Sequence, residues 1–223
     1  MKKGDFIWLL VLLSVVFIIV SPWTNPTFEH FTSTHLYLGG FAKFFILAPM
    51  GELLAIRLVE GNYRKPTGLL VKAFMWGLFG MLISLIFNLF AGGINSVMEK
   101  GYLPFYGNKF AFAFFVGSTM NLFFAPVFMG LHKLSDTYID LKFSGQIKSP
   151  TMDDVLQTAD WETFVKFVLF KTIPLFWIPA HTLTFLAPPQ YRIVISAFLS
   201  IVLGIIMVFA KNGKSKKATP VTA

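Results

Sequence analysis

The chain has 223 residues, of which 55% are hydrophobic and 13% charged, with a formal net charge of +8 and no cysteine. Soluble domains carry roughly 25% charged residues, so this composition excludes an ordinary water-soluble domain. Without cysteine, disulfides, thiolate metal sites and thiol nucleophiles are also excluded. The basic residues stand between apolar runs instead of gathering in one region, which argues against nucleic-acid binding and favours anionic lipid head groups as partners.

Several apolar runs reach the roughly 20 residues that a helix needs to cross the hydrocarbon core of a bilayer. We therefore predict an all-α fold: one polytopic transmembrane helix bundle over residues 1–210, with some spans kinked by proline. The first run follows Lys2 and Lys3 like a secretory signal peptide, but Ser21-Pro22-Trp23 is a poor cleavage site and Trp23 suits a membrane interface. We interpret it as a retained span. About six spans are predicted, at residues 6–22, 36–58, 69–91, 105–131, 163–186 and 191–209.

The segments between and after the spans are polar. Residues 133–160 are predicted as a cytoplasmic loop with a short helix, because Thr151, Asp153 and Asp154 are typical of a helix N-terminus. Charged residues and prolines interrupt the 161–186 segment, so a full crossing and an interfacial helix with a short crossing both remain open. Residues 211–223 are predicted to be a basic, disordered tail.

The distribution of Lys and Arg predicts the orientation. With the N-terminus inside, fourteen of these residues fall on the cytoplasmic side and four fall outside, namely Lys43, Lys100, Lys109 and Arg192. This asymmetry requires an even number of spans, which six satisfies. We expect a multi-pass protein of the plasma membrane with both termini in the cytoplasm.

Small residues recur along three of the spans, and helices in a bilayer associate through such positions. We interpret them as packing ridges that face one another. They are Gly80, Ser84 and Asn88 in the third span, Ala113, Gly117, Asn121 and Ala125 in the fourth, and Ser196, Ser200 and Gly204 in the sixth.

Ionisable side chains at bilayer depth need a partner, a cavity or an interface. Glu52, Lys171 and His181 are the candidates, and each lies close to a proline that frees a backbone carbonyl. This combination predicts an internal cavity, with Glu52 and Lys171 as a charge pair beside it. The alternative is structural: Lys171 extends to the interface and Glu52 pairs with Arg57 or Lys72, while His181 is a hydrogen-bonded packing residue.

Enzyme motifs are missing from the sequence. It contains no His-Glu-x-x-His, no Gly-x-Ser-x-Gly and no Gly-rich phosphate loop. His30 and His35 are five residues apart, which does not place them on one helical face, so a solvated loop is favoured over a metal site. We therefore assign no catalytic residue, cofactor or metal.

The last third of the chain contains a distinctive series of residues: Trp177, Pro179, His181, Thr184, Phe185, Pro188, Tyr191 and Arg192. This series resembles the closing signature of the peroxisomal and inner-mitochondrial membrane protein family, the Mpv-seventeen type. Gly51-Glu52 resembles the family's Gly-Asp, and Ala125-Pro126 its Ala-Pro. His181 stands where the family prefers Gln, and Thr184 where it prefers Asn. The resemblance implies a helical bundle with a pore-forming or metabolite-moving role, to which residues 6–20 add a span.

These observations predict a small channel or transporter-like protein for small solutes. The expected cavity or pathway residues are Glu52, Asn121, Lys171, His181 and Thr184. The alternative is a non-conducting membrane scaffold or assembly factor in which the same residues only hold helices together. A small-molecule solute and a second copy of the chain are the further partners that the sequence leaves open.

Overall fold

The computed structural model describes residues 2–145 and 147–217, with side chains described as far as residue 206. Within these ranges the chain is helical and contains no strand, which confirms the all-α prediction. The helices are α1 (Lys3–Val20), α2 (Asn25–Thr34), α3 (Leu36–Glu60), α4 (Leu69–Glu99), α5 (Lys109–Phe123), α6 (Ala125–Phe143), α7 (Met152–Thr158), α8 (Trp161–Leu186) and α9 (Pro189–Lys217).

Four of the described helices are long and apolar enough to cross a membrane: α1, α4, α8 and α9 as far as Ile206. The count rises to five if α5 and α6, which meet at an angle of 48°, form one broken span. The predicted 36–58 span corresponds to α3, which is outside this group. This helix carries three charged side chains before its last residue, Lys43, Glu52 and Arg57, and nine of its 25 residues are buried.

Helix α1 lies on the outside of the bundle. It has no buried residue, but Trp8, Leu12, Val15 and Ile19 form one stripe that packs on the core. At its N-terminal end, Asp5 Oδ1 accepts from Arg57 Nε of α3 at 2.8 Å. The indole N–H of Trp8 donates to Met50 O at 3.0 Å. These contacts attach the N-terminal end of α1 to α3.

Helix α3 is central, and makes its most extensive contacts with α4 and α9. Glycines permit the close approach: a Cβ on Gly80 would lie 2.3 Å from Gly40 O, and one on Gly204 would lie 2.7 Å from Gly51 O. Gly117 of α5 instead packs on Thr182 of α8. The expectation that the three small-residue ridges face one another is therefore wrong, because α3 and α8 supply the opposing surfaces.

The predicted 105–131 span is divided. Asn108 precedes α5 as its N-cap, and its side chain accepts from Phe110 N and Ala111 N. Helix α5 ends at Phe123, and α6 begins at Ala125 with Pro126 in its first turn. Helix α6 then continues to Phe143, so residues 133–143 are helical where a loop was predicted. The short helix in this segment is confirmed as α7, with Thr151 as its N-cap.

Helix α8 covers the interrupted 161–186 segment as one helix of 26 residues. Its stretch Phe164–Trp177 is π-helical, with Pro174 inside it. A proline has no N–H to donate to the carbonyl four residues earlier, as an α-helical turn requires. The wider turn of a π-helix accommodates the missing hydrogen bond. Helix α9 extends to Lys217, into the segment predicted as a disordered tail, and residues 218–223 lie outside the described residues.

Candidate functional site

Asn121 and His181 meet in the interior, where α5 packs on α8. The amide Nδ2 of Asn121 lies 2.8 Å from His181 Nδ1 and donates to Gly117 O at 2.7 Å. The same nitrogen also lies 3.4 Å from Trp177 O. An amide nitrogen only donates, so Nδ1 is the acceptor and the proton of a neutral imidazole belongs on Nε2. Asn121 is 1% exposed and His181 8% exposed. The pair is a polar contact within an apolar bundle.

Aromatic rings enclose this histidine on two sides. Trp177 stacks on it with ring centroids 5.3 Å apart, and Phe87 of α4 meets it edge-on at 5.5 Å. A cavity of about 60 Å³ lies next to the same side chains. Its lining brings together α3, α4, α5, α6, α8 and α9, and its polar members are Asn121, Trp177, His181, Ser196 and Ser200.

Trp177 contributes a hydrogen-bond donor with no partner. Its Nε1 and Ser118 Oγ are the two buried side-chain polar atoms of the described residues that make no hydrogen bond. Leaving a buried donor unpaired costs about 1 to 3 kcal/mol. The Trp177 side chain is also one of those that line the cavity.

A second polar site lies where α3, α4 and α6 meet. Lys72 is 5% exposed, and its Nζ lies 3.0 Å from Asp140 Oδ1, 3.4 Å from Glu52 Oε1 and 3.6 Å from Asp136 Oδ1. We call Lys72, Glu52, Asp136 and Asp140 the Lys72 cluster. One ammonium among three carboxylates leaves the cluster with excess negative charge when all groups are ionised.

The predicted Glu52–Lys171 pair is wrong. Glu52 pairs with Lys72, as the structural alternative proposed, whereas the Lys171 side chain is exposed on α8 and forms no ion pair among the described residues. Thr184 is fully buried, but its hydroxyl donates to Ala180 O at 2.8 Å within its own helix. Of the five predicted pathway residues, the structure therefore brings only Asn121 and His181 together at the cavity.

Two of the signature residues, Trp177 and His181, line this cavity. Phe185 contacts Phe87 at 5.0 Å and carries the guanidinium of Arg192 over its ring. The others shape the backbone: Gly51 allows α9 to approach α3, Pro126 begins α6, Pro179 lies within α8, and Pro188 separates α8 from α9.

Surface polar regions lie on both sides of the cavity. On one side, Phe87 contacts Phe185, which lines a surface pocket of about 440 Å³ together with Lys109 and Arg192. On the other side, Trp76 lines the cavity, and the centre of its ring lies 4.5 Å from the centre of the His132 ring. His132 is one turn of α6 before Asp136, which belongs to the Lys72 cluster. Layers of aromatic rings thus separate the cavity from each polar region.

Several of these residues were not predicted from the sequence. Asp136 and Asp140 lie four residues apart and therefore share a face of α6. This spacing has meaning only in a helix, and residues 133–160 were predicted to be a loop with a short helix. Trp76 and Phe87 have no comparable signal, since the chain contains 27 Phe and 5 Trp.

Comparisons with protein-family models, with curated proteins and with solved structures each find no match to this chain.

Proposed function

We propose that this chain is a small transporter-like membrane protein that encloses a small solute in the cavity beside Asn121 and His181. The observation that carries the proposal is that Trp177, whose indole N–H has no partner among the described residues, lines this cavity together with the Asn121–His181 pair. Polar groups inside a membrane bundle are costly, and they are most readily explained by a solute that pairs with them.

The arrangement of rings supports a carrier with an enclosed site over a permanently open channel. The cavity volume of about 60 Å³ corresponds to about two water molecules, each occupying about 30 Å³ in the liquid. The Phe87–Phe185 contact lies between the cavity and the Arg192 side, and Trp76 with Phe128 lies between it and His132. Movement of these side chains would open either side in turn.

The proposal includes the topology. Six spans require α3 and the bent α5–α6 pair to cross the membrane together with the four apolar helices. The excess of Lys and Arg then places both termini in the cytoplasm of a plasma membrane. In that orientation the Lys72 cluster lies toward the inner side, and Lys109 and Arg192 lie toward the outer side.

The proposal also includes membership of the peroxisomal and inner-mitochondrial membrane protein family. Its support is the position of the signature residues: Trp177 and His181 line the cavity, and Phe185 lies next to Phe87. Two signature residues at one cavity fit a family whose members are thought to form pores or to move metabolites.

The test is solute flux into liposomes that contain the purified chain. We expect glycerol or urea to enter faster than in protein-free vesicles. Asn121→Leu, which removes the amide, and Trp177→Phe, which removes the indole N–H, should each reduce this flux at least fivefold. Phe114→Leu is the matched control, because Phe114 is 44% exposed on the same helix as Asn121. Unchanged flux in both cavity variants contradicts the proposal.

The second candidate is the non-conducting scaffold, and the small volume of the cavity favours it. The glycine contacts of α3 with α4 and α9 are those of a tightly packed bundle. The same experiment separates the two functions. Folded protein that passes neither solute, but loses stability in the Asn121→Leu variant, supports the scaffold.

A further inference from the structure

Lys43 is a charged side chain enclosed by the helix bundle. The residue is 9% exposed and is the eighth residue of α3, about 10 Å along the axis from the start of the helix at 1.5 Å per residue. An ammonium removed from water is expected to be paired with an anion. A counter-charge is therefore expected close to Lys43.

The described residues offer Lys43 no carboxylate. Its Nζ donates to Thr32 Oγ1 at 3.1 Å and lies 5.0 Å from the centre of the Phe28 ring. Glu29 is the single carboxylate of α2, and its Oε1 instead accepts from Tyr191 Oη at 2.5 Å and Gln190 Nε2 at 3.3 Å. An ammonium has three N–H groups, so Thr32 satisfies only part of its hydrogen-bonding capacity.

The Lys43 side chain also borders an apolar cavity. This cavity has a volume of about 180 Å³ and lies where α1, α2 and α3 meet, with Lys43 and Thr32 among its lining residues. The remaining lining is almost entirely hydrocarbon and includes Val15, Ile18, Ile19, Phe31, Ile46 and Leu47. One cationic group beside a hydrocarbon-lined space matches a molecule with an anionic head and an apolar chain.

We propose that this cavity binds a fatty acid, with the carboxylate on Lys43 Nζ and Thr32 Oγ1 and the hydrocarbon chain between α1 and α3. A carboxylate head fits because Lys43 and Thr32 are both buried, at 9% and 5% exposure, which suits a compact group. The ion pair supplies the missing counter-charge, and burial of the chain supplies the apolar contribution. The site is separate from the cavity beside Asn121 and His181, so it stands whether or not the chain transports a solute.

The experiment measures binding of dodecanoate and of dodecanol to the full-length chain in a neutral detergent, by native mass spectrometry and by calorimetry. The two ligands have the same hydrocarbon chain, and only dodecanoate carries a charge. We expect one dodecanoate per chain, bound at least tenfold more tightly than dodecanol. Equal affinities of the unmodified protein for the two ligands overturn the proposal without requiring any variant.

Lys43→Met should reduce dodecanoate affinity at least tenfold and leave dodecanol binding unchanged. The matched control is Lys100→Met, which removes the same charge from an exposed position at the end of α4. If Lys43→Met does not fold, Ala42→Phe provides a second test, because Ala42 lines the cavity and a phenyl ring fills it. Dodecanoate binding that survives the cavity-filling change contradicts the proposal.

A further arm identifies the source of the anion. Retention of phosphatidylglycerol that depends on Lys43, without binding of dodecanoate, overturns the fatty-acid assignment in favour of a phospholipid head group. Binding of inorganic phosphate alone would likewise contradict a site that needs an apolar chain.

Discussion

The Asn121 side-chain amide lies 2.8 Å from Nδ1 of His181, and this contact connects α5 to α8 inside the bundle. Replacing Asn121 with Leu should destabilise the protein, because His181 would keep a buried nitrogen without a partner. The double variant Asn121→Leu, His181→Phe should be less damaged than the sum of the single changes.

A double-mutant cycle scored by thermal stability in detergent measures this interaction. We expect a coupling energy of about 0.6 kcal/mol, with an upper range near 1.7 kcal/mol, as for hydrogen bonds in other membrane helices. Thr119→Val is the control, since the Thr119 hydroxyl bonds only to Phe115 O of its own helix. Additive effects in the cycle would mean that the amide and the imidazole do not interact.

The Lys72 cluster predicts a clear order of effects. Lys72→Met should cost about 1.5 to 3 kcal/mol, because it leaves three carboxylates without their common cation. Glu52→Gln should cost less, since Lys72 keeps Asp140 at 3.0 Å. Lys171→Met is the matched lysine control and should be nearly neutral, because that side chain is exposed. Melting temperatures in detergent give the order, and equal losses for the two lysine variants would contradict it.

Glycine contacts between helices predict a position-dependent effect of one methyl group. Gly80→Ala should lower the melting temperature markedly, because its Cβ would lie 2.3 Å from Gly40 O. Gly92→Ala on the same helix has open space around it and should be neutral or slightly stabilising. The pair isolates packing from helix propensity, so equal melting temperatures would show that α3 and α4 do not approach closely.

The proposed topology predicts which loops an impermeant thiol reagent can label in intact cells. Single cysteines at Thr27 and Tyr102, both exposed, should react from outside, and one at Ser149 should not. The natural chain has no cysteine, so labelling reports only the introduced thiol. Reaction of Ser149→Cys in intact cells would reverse the orientation.

Helix α7 predicts a local pH dependence. Thr151 and Asp154 cap it reciprocally, and the hydrogen bonds from Thr151 lower the pKa of the Asp154 carboxyl below its ordinary value of 3.8. A carboxyl whose pKa is lowered by folding stabilises the helix at pH values above its ordinary pKa. This contribution disappears as the pH falls through the lowered pKa of the folded state.

Thr151→Ala should remove this contribution at neutral pH. A lost cap costs about 1 kcal/mol, which corresponds to roughly fivefold faster amide exchange in α7. Hydrogen exchange in the full chain measures it. An equal rate in the variant at pH 7 would show that the cap does not hold the helix.

The sequence by itself determined the features that depend on neighbouring residues. Apolar runs of sufficient length specify helices that suit a bilayer, since every backbone group must be satisfied within its own segment. Thr151 with Asp154 specified the start of α7 because a cap involves residues three apart. Asn121 and His181 could be recognised as polar residues that need explaining, because a polar side chain at membrane depth costs free energy until it has a partner. That conclusion does not require knowing which residue the partner is.

The tertiary structure decided which of these residues meet. Glu52 lies opposite Lys72 and not Lys171, because the Gly40–Gly80 contact brings α3 against α4, whereas α8 packs on α5. Among the described residues, the same packing leaves Trp177 Nε1 without a partner and Lys43 without a carboxylate. The spacing of residues along the chain determines which of them share one face of a helix. Only the packing of several helices determines which faces touch. Both proposed binding sites depend on that packing.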